Sequence, residues 1–231
     1  MDKDYNAVFW DIGGVLLDLD SVGEGHRAFA AALAAEYDRD PEDALETWRA
    51  TLSEYFASHE DTTYRPARIG YGRAVEAIAG REVPESAWLS LFERATADHL
   101  DPSPGAVETV RRLDGQVYQG IVSDIDTWEA ERLLDGFGVL GHLDDVTTSE
   151  AVGRTKPDPA MFETALEKSG TDPSRTLMVG DRHEHDMEGA TRAGIDTVAF
   201  GGSAAAAGPE DPAVDVAVAD LRELPEIVGV E

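Results

Sequence analysis

The 231-residue sequence contains no cysteine, which excludes disulfides, thiolate metal sites and a cysteine nucleophile. It has no long apolar run and no charged-then-apolar leader, so a soluble, cytoplasmic protein is expected. Positive charge is scarce: 19 Lys and Arg face 47 Asp and Glu, a formal net charge of −28, and the only lysines are Lys3, Lys156 and Lys168. A field of that sign repels phosphate backbones and anionic lipid surfaces, which predicts no nucleic-acid and no membrane partner. An acidic, lysine-poor surface is the pattern expected of a cytoplasmic protein from a high-salt organism, where counterions screen the self-repulsion. An anionic small substrate would then need a local cationic pocket, so a lysine at a motif position is unusually informative.

What is present points to a globular chain, with 42% hydrophobic residues and moderate Gly and Pro. Its length suits one large domain or a domain carrying an insertion. Residues 7 to 16, Ala-Val-Phe-Trp-Asp-Ile-Gly-Gly-Val-Leu, read as a strand buried on both faces that ends in one acid and paired glycines. Asp11 then sits at the C-terminal edge of that strand, where open α/β sheets bind ligands, and Gly13 and Gly14 allow backbone N–H groups close to an anion. Taken alone, the pattern favours an Asp that caps a glycine turn, so the case for a site comes from downstream.

Residues 26 to 98 carry helical periodicity, with Phe29, Leu33 and Tyr37 on one face and Leu45, Trp48, Leu52 and Tyr55 on another. About four helices are expected there, with Pro41 and Pro84 as first-turn prolines. After Asp101-Pro-Ser-Pro-Gly the pattern alternates: helix 105–113, strand 117–123, helix 128–136, strand 144–148, helix 159–169, strand 176–180, helix 185–193, strand 197–200, strand 214–218 and helix 221–228. The expected fold is α/β, a Rossmann-like parallel sheet core with helices on both faces and an inserted α-helical cap domain. The core would comprise 1–18 and 99–231 and the helical insertion 19–98, since a βα connection needs only ~2–6 residues. Gly201-Gly-Ser-Ala-Ala-Ala-Ala-Gly-Pro reads as a small-residue loop.

Three later stretches fall where a parallel sheet would bring them to the edge that carries Asp11. Gly120-Ile-Val-Ser-Asp-Ile-Asp ends a strand at Ser123, whose hydroxyl, with the N–H of Asp124, can bond a phosphoryl oxygen; a helix-capping serine is the plain alternative. Gly153-Arg-Thr-Lys-Pro-Asp-Pro sets Lys156 before a proline-initiated helix, where a compact ammonium suits an anionic nucleophile and a phosphate together. Met178-Val-Gly-Asp-Arg-His-Glu-His-Asp ends a strand at Asp181 with Asp186 opening the next helix, and such hard carboxylate oxygens suit Mg²⁺. His183 and His185 admit a zinc reading, but histidines two apart on an acidic loop more often face solvent.

The ordered set D-I-G-G-V-L, V-S-D-I-D, G-R-T-K-P-D-P and V-G-D-R-H-E-H-D resembles the haloacid dehalogenase superfamily of hydrolases, with the helical block similar to its subfamily I cap. The resemblance implies an Mg²⁺-dependent phosphatase of small phosphorylated metabolites that works through an aspartyl-phosphate on Asp11. It further implies Asp11, the Gly13 carbonyl and Asp181 as metal ligands, with Asp186 supporting the ion directly or through water. Ser123, Asp124 and the N–H groups near Gly13 and Gly14 would grip the phosphoryl oxygens and Lys156 would neutralise charge. The cap would choose the substrate by closing over the site. Monomer and homodimer both remain open.

One position departs from the pattern. Most phosphatases of the family carry a second Asp two residues after the nucleophile, as general acid and base, and here that residue is Gly13. Losing such a group costs ~10²–10⁴ in rate. A substitute acid from Asp124, His183, His185 or the cap, a leaving group that needs no proton, and a slow or non-catalytic regulatory relative all account for it. The family's 2-haloacid dehalogenases also lack that Asp, but they need no metal, whereas Asp181 and Asp186 keep the acidic pair. In the helical block, Arg65, Arg68 and Arg73 near Tyr64 and Tyr71 fit either an anion contact or surface ion pairs, and Trp48 and Trp88 are expected in the core.

Overall fold

The computed structural model describes residues 3–57, 61–208 and 210–230. The chain divides into two compact units, one of Met1–Asp18, Thr62–Tyr64 and Pro102–Glu231, the other of Leu19–Asp61 and Arg65–Asp101.

The first unit is built on six parallel strands, β1 (Ala7–Trp10), β2 (Tyr118–Ser123), β3 (Asp145–Thr148), β4 (Thr176–Gly180), β5 (Asp196–Phe200) and β6 (Val216–Val218), in the order β3-β2-β1-β4-β5-β6. β1 is buried throughout, which is why its sequence is an unbroken apolar run and does not alternate. Trp10 lies level with Ile121 on one side and Val179 on the other. This register carries Asp11, Ser123 and Asp181 to the same sheet edge within about one residue of each other.

The second unit holds α1 (Leu19–Tyr37), α2 (Pro41–Ala57), α3 (Ala67–Ala79) and α4 (Glu85–Ala97). Phe29, Trp48, Tyr71, Trp88 and Phe92 are all buried in it. The Phe29 ring meets Trp48 and Phe92 edge-on, with centroids 5.1 Å apart in both pairs, each such pair contributing ~0.5–1.5 kcal/mol beyond area burial. The two tryptophans are therefore core. Arg65 and Arg73 set their guanidinium groups on the Tyr55 ring at 5.4 and 5.1 Å, and Arg68 lies 3.6 Å from Glu85. These arginines face partners within their own helical unit.

The sheet unit adds α5 (Ala106–Leu113), α6 (Thr127–Gly136), α7 (Ser149–Val152), α8 (Pro159–Ser169), α9 (Gly189–Arg192), α10 (Gly202–Ala207) and α11 (Leu224–Ile227). Phe9, Val122, Met161, Phe162, Met178 and Ile195 form one cluster of its core. Three differences from the sequence reading stand out. The small-residue stretch is not all loop: its alanines, the best helix formers, make α10. The helix expected at 185–193 is a π-helical turn, His183–Glu188, followed by α9. Residues 62–64, placed above in the insertion, join the sheet unit because their extended backbone binds the loop of Lys156. Thr63 bridges Arg154, the Thr155 N–H donates to the Thr62 carbonyl at 2.8 Å, and the Thr62 hydroxyl donates to Asp158 at 2.6 Å.

Candidate active site

Asp11 follows the last residue of β1 and is almost fully buried, at 3% exposure. Its Oδ1 accepts from its neighbour's backbone, the Ile12 N–H, at 2.8 Å and from the Ser123 hydroxyl at 2.7 Å, and lies 3.1 Å from Lys156 Nζ. Its Oδ2 has no partner among the described residues, so one carboxylate oxygen is held by two hydrogen bonds and an ion pair while the other stays open. Burial, the largest effect, pushes the Asp11 carboxyl up against the pull of Lys156.

Lys156 is completely buried and forms a second ion pair, 2.5 Å from Asp186 Oδ1. Burial alone would lower its pKa, but Asp11 and Asp186 outweigh it and hold the ammonium above its ordinary value. Asp186 turns its other oxygen back to the start of the π-turn, where the N–H groups of Asp181 and Arg182 donate to Oδ2 at 3.1 and 2.9 Å. Asp181 completes the group. Burial first, then the charges of Asp11 and Asp186, pushes its carboxyl up to about 6.

Glycines let these acids come so close. A Cβ on Gly14, whose φ is 76°, would stand 2.5 Å from Asp181 Oδ2, and one on Gly180 would overlap the Asp186 side chain. One on Gly202, at the start of α10, would strike the Asp181 carbonyl, which accepts from the Ala204 N–H at 2.9 Å. This corrects the expected role of Gly14 as an N–H donor to substrate. Its N–H already donates to the Leu17 carbonyl at 2.9 Å, because the turn after Asp11 folds back on itself, and Gly14 serves by lacking a side chain. The Gly13 N–H has no acceptor among the described residues, and Gly13 bridges Leu17 in the same turn.

Comparison with known proteins identifies the family. The family described as haloacid dehalogenase-like hydrolase matches residues 5–194. The chain belongs to the haloacid dehalogenase-like hydrolases. It is 31% identical over 207 residues to a ribulose-1,5-bisphosphate 5-phosphatase of Halopiger xanaduensis, covering 84% of each chain. It is 29% identical over 199 residues to a glyceraldehyde 3-phosphate phosphatase of Methanothermobacter thermautotrophicus, covering 83% of this chain and 84% of that one. Among solved structures, the magnesium-bound HAD hydrolase YfnB of Bacillus subtilis shares the fold with a TM-score of 0.73, at 20% identity over 99% of this chain and 100% of that one.

In this hydrolase Asp11, Asp181 and Asp186 each offer a carboxylate oxygen, all within 4.8 Å of one another, the one such group among the described residues. Three hard oxygen donors gathered this closely, with burial and then the neighbouring carboxylate charges pushing the Asp181 carboxyl up, are a fit for a divalent cation. Neither histidine belongs to the group: His183 Nε2 lies 3.0 Å from Asp211, and His185 Nδ1 lies 3.3 Å from Asp124.

Asp124 faces an interior network. Oδ1 accepts from the Ser149 hydroxyl and the Lys156 N–H, both at 2.8 Å, and Oδ2 accepts from Arg182 Nη2 at 2.7 Å. Burial works to raise its carboxyl, but the bond from His185 and the charges of Lys156 and Arg182 prevail and hold it far below the usual carboxylate range. Asp124 therefore has no proton to give at neutral pH. The arginine that holds it escaped the sequence reading, as did the 62–64 segment. A basic residue beside the motif aspartate, in so acidic a chain, was the available signal for Arg182.

Proposed function

We propose that this hydrolase cleaves phosphate monoesters of small phosphorylated metabolites, with Mg²⁺, through an aspartyl-phosphate on Asp11. The observation that carries the reading is Asp11 itself, buried, paired with a fully buried lysine and left with one open carboxylate oxygen. That oxygen attacks phosphorus, the ester bond breaks, and the phosphoryl group rests on Asp11 until water releases it, splitting one hard displacement into two. Lys156 offsets the charge of nucleophile and phosphoryl group. The Ser123 hydroxyl, free to rotate about its C–O bond, swings its proton from Asp11 to a phosphoryl oxygen. Asp11, the Gly13 carbonyl, Asp181 and Asp186 would hold the ion, which when bound neutralises charge on the transferring group. The glycines at 14 and 202 fix Asp181 for that purpose.

The relatives named for a triose phosphate and a pentose bisphosphate support sugar phosphates as the substrate class. We assign substrate choice to the helical unit, Leu19–Asp61 and Arg65–Asp101, as the cap and read the chain as a cytoplasmic protein adapted to high salt. Gly13 favours a second reading, a 2-haloacid dehalogenase using the same nucleophile. Against it stand Asp181 and Asp186, which a halide displacement does not need. The test is one parallel assay at high salt: phosphate release from a sugar-phosphate panel and halide release from 2-chloropropionate, each with Mg²⁺ and with EDTA. Phosphate release abolished by EDTA is expected. Halide release indifferent to EDTA would replace this reading, and silence in both would point to a non-catalytic relative.

A further inference from the structure

Cleaving an alkyl phosphate leaves an alkoxide, and the residue that would protonate it in related phosphatases is Gly13 here. Arg182 follows β4 and its guanidinium bonds Asp124, just past the end of β2, at 2.7 Å. Because β1 lies between β4 and β2, that ion pair spans the end of the strand that presents Asp11. Two cations act on the Asp11 charge, Lys156 and Arg182. Lys156 is sealed, with its ammonium committed to Asp11 and Asp186. The Arg182 side chain is 38% exposed, and its Nε and Nη1 have no partner among the described residues. Of the two, Arg182 is thus the cation with donors neither sealed nor committed, held in place by an aspartate that is itself anchored from two other sides.

We propose that Arg182 is a catalytic residue that receives the charge of the leaving oxygen, in place of the carboxylic acid missing at position 13. The inference rests on the phosphatase reading. As Asp11 bonds to phosphorus, the bond between phosphorus and the ester oxygen breaks and its electron pair stays on that oxygen. Arg182 donates hydrogen bonds to the oxygen and keeps its protons, since a guanidinium does not ionise in a protein. A solvent water gives the proton that makes the alcohol, and the hydroxide it leaves takes up the proton released when a second water attacks the aspartyl-phosphate and frees phosphate. A preorganised donor of this kind contributes ~10²–10³ in rate, and its worth depends on the leaving group. An alkoxide needs it; a nitrophenolate, stable as an anion, does not.

The experiment compares wild type, Arg182→Gln and Arg182→Lys on glycerol 3-phosphate and on p-nitrophenyl phosphate, with Mg²⁺ at high salt, with circular dichroism as the check on folding. Arg182→Gln is expected to lose ~10²-fold in kcat/KM on the alkyl ester and under ~10-fold on the aryl ester. Arg182→Lys, which keeps the charge, should fall between. Across a series of aryl and alkyl esters, log kcat/KM should fall more steeply with leaving-group pKa in Arg182→Gln than in wild type. Equal losses on both esters would show that Arg182 only props Asp124 and would overturn the proposal, as would unchanged activity. If Arg182→Gln does not fold, the slope for Arg182→Lys decides: a slope equal to wild type overturns it. A wild type that releases phosphate from neither ester defeats the phosphatase reading instead.

Discussion

Lys156 holds its pKa above the ordinary value although burial works to lower it, and the two carboxylates that hold the ammonium are the ones the proposed chemistry uses. Removing it leaves Asp11 and Asp186 buried without a counter-charge, which costs about 3–5 kcal/mol. Lys156→Ala should accordingly lower the urea midpoint sharply as well as stop turnover; a variant as stable as wild type would mean the pair is not closed in solution. Gly14→Ala tests the glycine contact. A side chain at φ 76° costs ~1–2 kcal/mol, and its Cβ would displace Asp181. The stabilisation by Mg²⁺ in a thermal-shift assay should shrink or vanish, whereas an unchanged shift would detach Asp181 from the metal. At this scale much of the site was legible, because Ser123 closes a strongly patterned strand, Asp11 and Asp181 directly follow one, and Lys156 and Asp186 stand in the turns next to helices. The roles of Gly14 and Arg182 were not legible. One depends on an approach to Asp181 across 167 positions of sequence and the other on a crossing between strands that only the sheet order reveals.

Among the elements, the four-helix unit carries its own titrating group. His26 lies against Trp48 with ring centroids 5.4 Å apart, and burial, helped by the charge of Arg49, lowers its pKa to about 4. The unfolded chain takes up that proton near pH 6.5, so the stability His26 contributes is present above pH 6.5 and lost as pH falls toward 4, at most ~3 kcal/mol. His26→Phe should flatten the fall of the urea midpoint between pH 6.5 and 4; the same slope in both proteins would exclude His26 as its source. The helices of this unit were readable because their apolar faces repeat at helical spacing. α10 was not, since a run of alanines flanked by glycines has no amphipathic face to declare it, and it becomes helical where its first turn docks on the Asp181 carbonyl.

For the whole molecule the governing quantity is the net charge of −28. Salt shortens the reach of repulsion from ~10 Å at 0.1 M to ~3 Å at 1 M, so the melting temperature should climb steadily with KCl across that range. A temperature that falls or stays level would contradict adaptation to high salt. None of the described helices is long and apolar enough to cross a membrane. The catalytic reading stands or falls on whether phosphate passes through Asp11. The direct measurement is acid quenching during turnover of a sugar phosphate, borohydride reduction of any acyl phosphate, and mass spectrometry of the peptide that contains position 11. Conversion of Asp11 to homoserine, absent without substrate and absent when Mg²⁺ is chelated, is the predicted result; steady phosphate release with Asp11 unmodified in every quenched sample would contradict it.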